Sequence, residues 1–265
     1  MSAVWHAGPG FIEVSGDRLE VRRLGPPPGR TPTIVFLHEG LGSAGLWRDY
    51  PDRVCEAVGA GGLVYSRRGY GASDPAELPR SVDFMHREAW DALPRLLDAA
   101  GVEAPLLYGH SDGASIALLF AAHFPDRTRA LVLEAPHAFV EEVTVESIAR
   151  LERAYADTDL RDRLARWHHR PDPTVLGWTR AWLDPAFRGW DLRGELAGVH
   201  APILVLQGEE DEYGTWAQVE AVVEGVSGPA RAVRLSDCGH APNRDRPGEA
   251  RAEAVRFLRE VLSAG

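Results

Sequence analysis

Short apolar runs alternate along the chain with longer stretches in which apolar residues recur every three or four positions. Residues 11–14 and 18–24 flank the turn Ser15-Gly16-Asp17 and predict an opening hairpin. A Pro/Gly loop at 25–32 then leads into Thr33–Leu37, and further runs follow at 63–66, 105–108, Ala130–Glu134, 202–207 and 231–235. These runs are mostly aliphatic and lack the polar alternation of a half-solvated strand, so they predict a parallel sheet covered on both faces. Helical spacing at 85–100, 111–123, 216–223 and 247–262 supplies the covering layers. The predicted fold class is α/β, with a mostly parallel, doubly wound sheet.

Residues 137–199 interrupt this alternation. They are charged, contain Trp167, Trp178, Trp182 and Trp190, and hold no convincing strand. The reading is a core built from residues 1–136 and 200–265, with 137–199 inserted as a helical cap over the sheet edge.

Composition narrows the class further. A chain of 265 residues, 45% hydrophobic and 26% charged, is long enough for a substantial core and has globular proportions. A formal net charge of −10 argues against a nucleic-acid surface, which needs clustered Lys and Arg. The two cysteines, Cys55 and Cys238, form no metal or redox motif. The N-terminal stretch lacks a leader pattern and no run approaches membrane-spanning length, so a cytoplasmic location is expected, with no membrane partner. Monomer and homodimer both remain open.

The chemistry concentrates at strand ends. Gly109-His110-Ser111-Asp112-Gly113 stands between the run 105–108 and a helical stretch. A serine on a sharp strand-to-helix turn needs small residues two before and two after it, because larger side chains collide across the turn; both are glycine here. A serine hydroxyl is a weak nucleophile near neutral pH and needs a base, which in turn needs an orienting carboxylate. Asp211 and His240 each follow a predicted strand, and the carboxyl ends of parallel strands gather at one rim. Ser111, Asp211 and His240 are therefore the expected catalytic set, with Glu134, Glu209 and Glu210 as rivals to Asp211. The expected oxyanion-hole donors are the backbone N–H of Asp112 and that of Gly40 or Leu41, in the loop His38-Glu39-Gly40-Leu41-Gly42.

Glu39 and Asp112 put two carboxylates beside that hole, where they oppose developing negative charge unless turned away or paired. One arrangement has them bonded to backbone donors behind the site. The other pairs them with Arg67, Arg68 or a cationic substrate group, which makes Glu39 a substrate-binding candidate. Trp178 and Trp182 are candidates for lining a substrate pocket, with packing of the cap onto the sheet as the alternative. The adjacent His168 and His169 diverge on a helix and suggest no metal site.

The loop 38–42, the stretch Ser66-Arg67-Arg68-Gly69-Tyr70-Gly71-Ala72-Ser73-Asp74, the elbow 109–113, Gly208–Asp211 and Gly239-His240 occur in the order found in the α/β-hydrolase superfamily. The chain resembles that superfamily over essentially its whole length. It is most similar to the small, helically capped branch with esterases, thioesterases, lactonases and carbon–carbon bond hydrolases. Two departures are Glu39, where many relatives have a second glycine, and Asp112, where they often have an apolar or amide side chain. The resemblance implies a serine hydrolase that cleaves a small carboxylic ester or thioester through an acyl-serine, with a small-molecule acyl substrate and neither cofactor nor metal. It also implies two alternatives: cleavage of a vinylogous diketone by the same residues, or non-catalytic binding of a small molecule, as in hormone receptors on this scaffold. Epoxide hydrolases are disfavoured, because they carry aspartate where this chain has Ser111.

Overall fold

A computed structural model describes residues 5–264. The first four positions, part of the stretch in which no leader pattern is read, lie outside the described residues, as does Gly265. One sheet holds β1 (Gly8–Val14), β2 (Asp17–Leu24), β3 (Thr33–Leu37), β4 (Gly61–Tyr65), β5 (Leu106–His110), β6 (Ala130–Glu134), β7 (Ile203–Gly208) and β8 (Ala230–Leu235). Their order across the sheet is β1-β2-β4-β3-β5-β6-β7-β8. The opening hairpin joins antiparallel to β4, and every pairing from β4 to β8 is parallel. This is the mostly parallel α/β sheet that the apolar runs predict.

The helices are α1 (Tyr50–Val58), α2 (Phe84–Arg87), α3 (Leu93–Ala100), α4 (Asp112–His123), α5 (Glu142–Asp157), α6 (Leu160–Leu164), α7 (Pro171–Leu183), α8 (Trp216–Gly225), α9 (Pro242–Asp245) and α10 (Pro247–Ala264). Successive strand residues point to opposite faces, and both faces are apolar. Val35, Leu37, Leu107, Leu131, Leu133, Ile203 and Val205 join the core beneath α3, α4 and α8. Ile34, Phe36, Leu106, Tyr108, Val132, Leu204 and Leu206 join the opposite core, with Val54 of α1 and Ala254, Phe257 and Leu258 of α10. Truncating one such residue to alanine costs about 2–5 kcal/mol, which fixes the sheet register and thus where each strand ends.

Strand order reverses between β3 and β5, which lie side by side while the chain crosses to opposite sides of them. The loops leaving their carboxyl ends open a crevice, the usual ligand position of such sheets. In the paired register Leu37 lies opposite Gly109, so the loop 38–42 and the turn at Ser111 leave the sheet together.

Several local features differ from the sequence pattern, among them α1, which lies outside the stretches of helical spacing, and β4, which spans Gly61–Tyr65 rather than 63–66. The single helix expected over 85–100 is interrupted by a π-helical turn at Glu88–Ala92. Pro94 has no N–H for the carbonyl four residues back and its ring crowds that turn, so the wider turn accommodates it. Strand β5 also runs past the predicted 105–108 to His110, which delivers Ser111 straight from the sheet. Residues 137–199 carry α5, α6, α7 and short 3₁₀ turns, with one isolated β-bridge between Phe139 and Asp191 among the described residues. Tyr155, Leu164 and Val175 form a small apolar cluster there that reaches Leu41. No helix of the described residues is long and apolar enough to cross a membrane.

Candidate active site

Ser111 sits between β5 and α4 with φ 53° and ψ −119°, a conformation that side chains other than glycine rarely adopt. Strain of this kind costs of order 1–3 kcal/mol and persists only where the surroundings impose it. They do so here. A Cβ on Gly113 would overlap the Leu37 carbonyl, and one on Gly109 would overlap Gly113 and Ala114. The Ser111 N–H is held by the Glu134 carbonyl at 2.9 Å. The serine is thereby fixed at the head of α4, with 5% of its surface exposed.

Its hydroxyl lies 2.9 Å from His240 Nε2. His240 Nδ1 donates to Asp211, at 2.8 Å from Oδ1 and 2.9 Å from Oδ2. This assigns the tautomer: Nδ1 carries the proton and Nε2 is free to accept one from serine. Asp211 also accepts from the backbone N–H groups of Tyr213 (2.8 Å) and Gly214 (3.1 Å) and from Gln207 Nε2 (2.7 Å). Burial pushes the Asp211 carboxyl up, but His240 and the Tyr213 N–H outweigh it and hold the group below its ordinary value. Burial likewise opposes charge on His240, and the carboxylates of Asp211, Glu212 and Glu39 reverse that, so its pKa is raised.

Gly208 at the end of β7 lets the Cys238–Gly239 backbone pass so closely that a Cβ would overlap both carbonyls. That close passage carries His240 over the sheet to Asp211. Of the rival carboxylates, Glu209 and Glu210 are exposed. Glu134 is buried away from His240, where it accepts from Tyr108 Oη (2.6 Å) and from the N–H (3.1 Å) and side-chain amide (2.5 Å) of Asn243.

The loop after β3 closes a turn through the Gly42 N–H to the Glu39 carbonyl (3.1 Å), leaving the N–H groups of Gly40 and Leu41 without a backbone partner among the described residues. The Asp112 N–H is the first of α4, where helix geometry offers no acceptor. Both carboxylates beside these donors are paired with other side chains. Glu39 meets Arg244 at 2.7 Å, with His110 Nδ1 at 3.8 Å. Burial raises the Glu39 pKa, and its neighbours, the Arg244 guanidinium foremost, bring it below the usual value. Asp112 is fully buried and accepts from Trp178 Nε1 (2.7 Å) and Trp182 Nε1 (3.3 Å), with Arg67 Nη2 at 4.0 Å. Desolvation pushes its carboxyl up against the pull of Arg67 and the two indoles. The polar edges of Trp178 and Trp182 therefore face Asp112, so α7 is pinned to the elbow, and the Trp178 ring lies where a Cβ on Gly40 would be.

Several neighbours make contacts to which the sequence assigned no role. His110 Nε2 donates to the His240 carbonyl at 2.7 Å. His137 is buried, with its ring 5.6 Å from that of His240 and its Nδ1 unpartnered. Burial pushes the pKa of His110 down to about 4 and that of His137 to about 3, so both are neutral. His168 accepts from the Gly71 N–H (3.0 Å) and donates from Nε2 to the Leu41 carbonyl (2.9 Å), tying residues 137–199 to the loop 38–42. Each contact joins positions far apart in the chain, which no local pattern records. Arg67 had a signal, since it lies in the stretch 66–74.

Known proteins resemble this chain in sequence and in fold. A family model described as the alpha/beta hydrolase fold matches residues 32–193. The 2-hydroxy-6-oxo-6-phenylhexa-2,4-dienoate hydrolase of Comamonas testosteroni is 26% identical over 260 residues, covering 88% of this chain and 89% of the relative. Epoxide hydrolase A of Mycobacterium tuberculosis is 25% identical, covering 94% and 96%. Among solved structures, the enol-lactonase from Burkholderia xenovorans LB400 superposes with a TM-score of 0.72 at 24% identity, covering 94% of this chain and 99% of that one, a likeness of fold. These relatives are hydrolases, and with the model spanning more than half its length, this chain belongs to the α/β-hydrolase family.

Proposed function

We propose that this protein is a serine hydrolase that cleaves a small carboxylic ester or thioester through an acyl-serine intermediate. The observation that carries the reading is the unbroken chain of hydrogen bonds from Ser111 Oγ through His240 to Asp211. Ser111 Oγ attacks the acyl carbon while its proton passes to His240 Nε2. Asp211 holds the tautomer and stabilises the imidazolium, and the N–H groups of Asp112 and Gly40 receive the oxyanion. Collapse breaks the bond to the alcohol or thiol, which leaves with the His240 proton. Water then gives its proton to His240, attacks the acyl-serine, and releases the carboxylic acid and free Ser111. In this reading residues 137–199 are a helical cap over the crevice.

A second reading rests on the Comamonas testosteroni relative. The same three residues would hydrolyse a carbon–carbon bond in a vinylogous diketone. Ser111 supports either reading over an epoxide hydrolase, for which the resemblance expects aspartate at that position.

Purified protein and Ser111→Ala would be assayed with short and medium p-nitrophenyl esters, acyl thioesters and a meta-cleavage diketone, alongside fluorophosphonate labelling. Turnover of an ester or thioester and labelling, both lost in Ser111→Ala, is the expected result. Turnover of the diketone alone would select the second reading. Equal residual rates in both proteins with no labelling would remove the serine-hydrolase reading.

A further inference from the structure

We infer that Arg67 is a positioning residue that aims the oxyanion-hole N–H of Gly40; the inference rests on the serine-hydrolase reading above. Arg67 follows β4 and is buried at 3% exposure. Its guanidinium reaches across to the loop after β3, donating from Nη1 to the His38 carbonyl (2.5 Å) and from Nη2 to the Glu39 carbonyl (3.0 Å). Its backbone N–H donates to His38 Nε2 (3.1 Å), which leaves the His38 proton on Nδ1, donating to the same Glu39 carbonyl (2.7 Å). With the Gly42 N–H at 3.1 Å, the Glu39 oxygen receives three donors, two of them held by Arg67 directly or through His38.

The direction of Gly40 follows from peptide geometry. In a planar trans peptide the C=O and N–H point opposite ways, so anchoring the Glu39 oxygen sets the direction of the Gly40 N–H. Donors on that oxygen also polarise the peptide and strengthen the N–H as a donor. The Gly40 carbonyl, which would set the Leu41 N–H in the same way, takes no such set of donors among the described residues. This selects Gly40 over Leu41. The planar fork of arginine suits two adjacent carbonyls, which a lysine point charge does not bridge. The same guanidinium stands 4.0 Å from Asp112, so its charge also offsets the carboxylate next to the other oxyanion donor.

The two roles separate in a double-mutant cycle. Arg67→Gln, Arg67→Lys, Asp112→Asn and Arg67→Gln/Asp112→Asn would be compared with wild type for p-nitrophenyl acetate turnover and for the rate of fluorophosphonate labelling, with circular dichroism confirming the fold. Deleting one oxyanion donor costs about 10²–10³ in kcat, and a misaimed one sits at the lower end, so Arg67→Gln should lower kcat about 100-fold. KM should stay within about threefold, because the oxyanion exists only in the transition state. The pH profile should keep its apparent pKa, since Arg67 touches neither His240 nor Asp211. Arg67→Lys should fall between wild type and Arg67→Gln. The double variant removes the buried charge pair together, keeping the test valid if Arg67→Gln alone fails to fold, and it should remain far slower than Asp112→Asn. A double variant as fast as Asp112→Asn would reduce Arg67 to a counter-charge and overturn the inference. Labelled wild type with equally fast Arg67 variants would overturn it while leaving the hydrolase reading intact, whereas a wild type inert to every probe would overturn both.

Discussion

Replacing Asp211 by asparagine tests the assignment of the carboxylate partner. The side chain accepts five contacts: both oxygens face His240 Nδ1, Oδ1 also takes the N–H groups of Tyr213 and Gly214, and Oδ2 takes Gln207 Nε2. The backbone donors keep the asparagine oxygen at the Oδ1 position, so its NH₂ replaces Oδ2. There it faces the Gln207 NH₂ and stands beside His240 Nδ1, a donor where an acceptor is required. Gln207 has an unpartnered Oε1 and relieves its own clash by turning over, at the cost of its bond to the Gly214 carbonyl. His240 has no such remedy. It loses the negative charge that stabilises its protonated form, and its Nδ1–H tautomer is no longer enforced. Loss of both in a serine-histidine-carboxylate set lowers kcat about 10⁴-fold, about 5.5 kcal/mol of transition-state stabilisation. The assay is steady-state hydrolysis of the best ester in the panel, with thermal unfolding to confirm that the variant folds. Asp211→Asn within tenfold of wild type, while Glu209→Gln or Glu134→Gln abolishes turnover, would refute the assignment.

Two further expectations concern pH. Because the His240 pKa is raised by Asp211, Glu212 and Glu39 against desolvation, kcat/KM should fall on acidification at a pH above the ordinary histidine value of 6.5. Glu212, whose carboxylate also accepts the His240 N–H at 3.3 Å, contributes to this, so Glu212→Gln should move the apparent pKa down; an unmoved profile would contradict that cause. Glu134 is pushed by burial from 4.5 up to about 7, against the opposing bonds of Tyr108 and Asn243. The folded state then binds this proton more tightly than the unfolded chain, so its contribution is favourable below about 4.5 and is lost as pH rises through about 7. That amounts to about 3 kcal/mol, and urea unfolding at pH 5 and pH 8 should show a smaller loss in Glu134→Gln than in wild type. Equal losses would show that Glu134 is already ionised in the acidic folded state.

The sequence by itself determined the parts that depend on local pattern. Aliphatic runs separated by helical spacing predict a parallel sheet covered on both faces, because strands apolar on both sides need a helical layer on each. The glycines at 109 and 113 mark the turn at Ser111, since that backbone has no room for a Cβ. Only the tertiary structure decided among the carboxylates. Glu134 ends β6, whereas Glu209, Glu210 and Asp211 follow β7; the close passage of the Cys238–Gly239 backbone brings His240 to the β7 end, where Asp211 faces it and Glu209 and Glu210 are exposed, a contact between distant segments. The same holds for the acidic residues beside Ser111. Composition showed Asp112 and Glu39 as charges in an awkward place, but their compensation by Trp178, Trp182, Arg67 and Arg244 crosses from 45 to 205 positions of chain (112−67 and 244−39). Periodicity records which side of an element is buried. It does not record which side chain of another element will meet it there, and that pairing decides which charges stand exposed to the reaction and which are already satisfied.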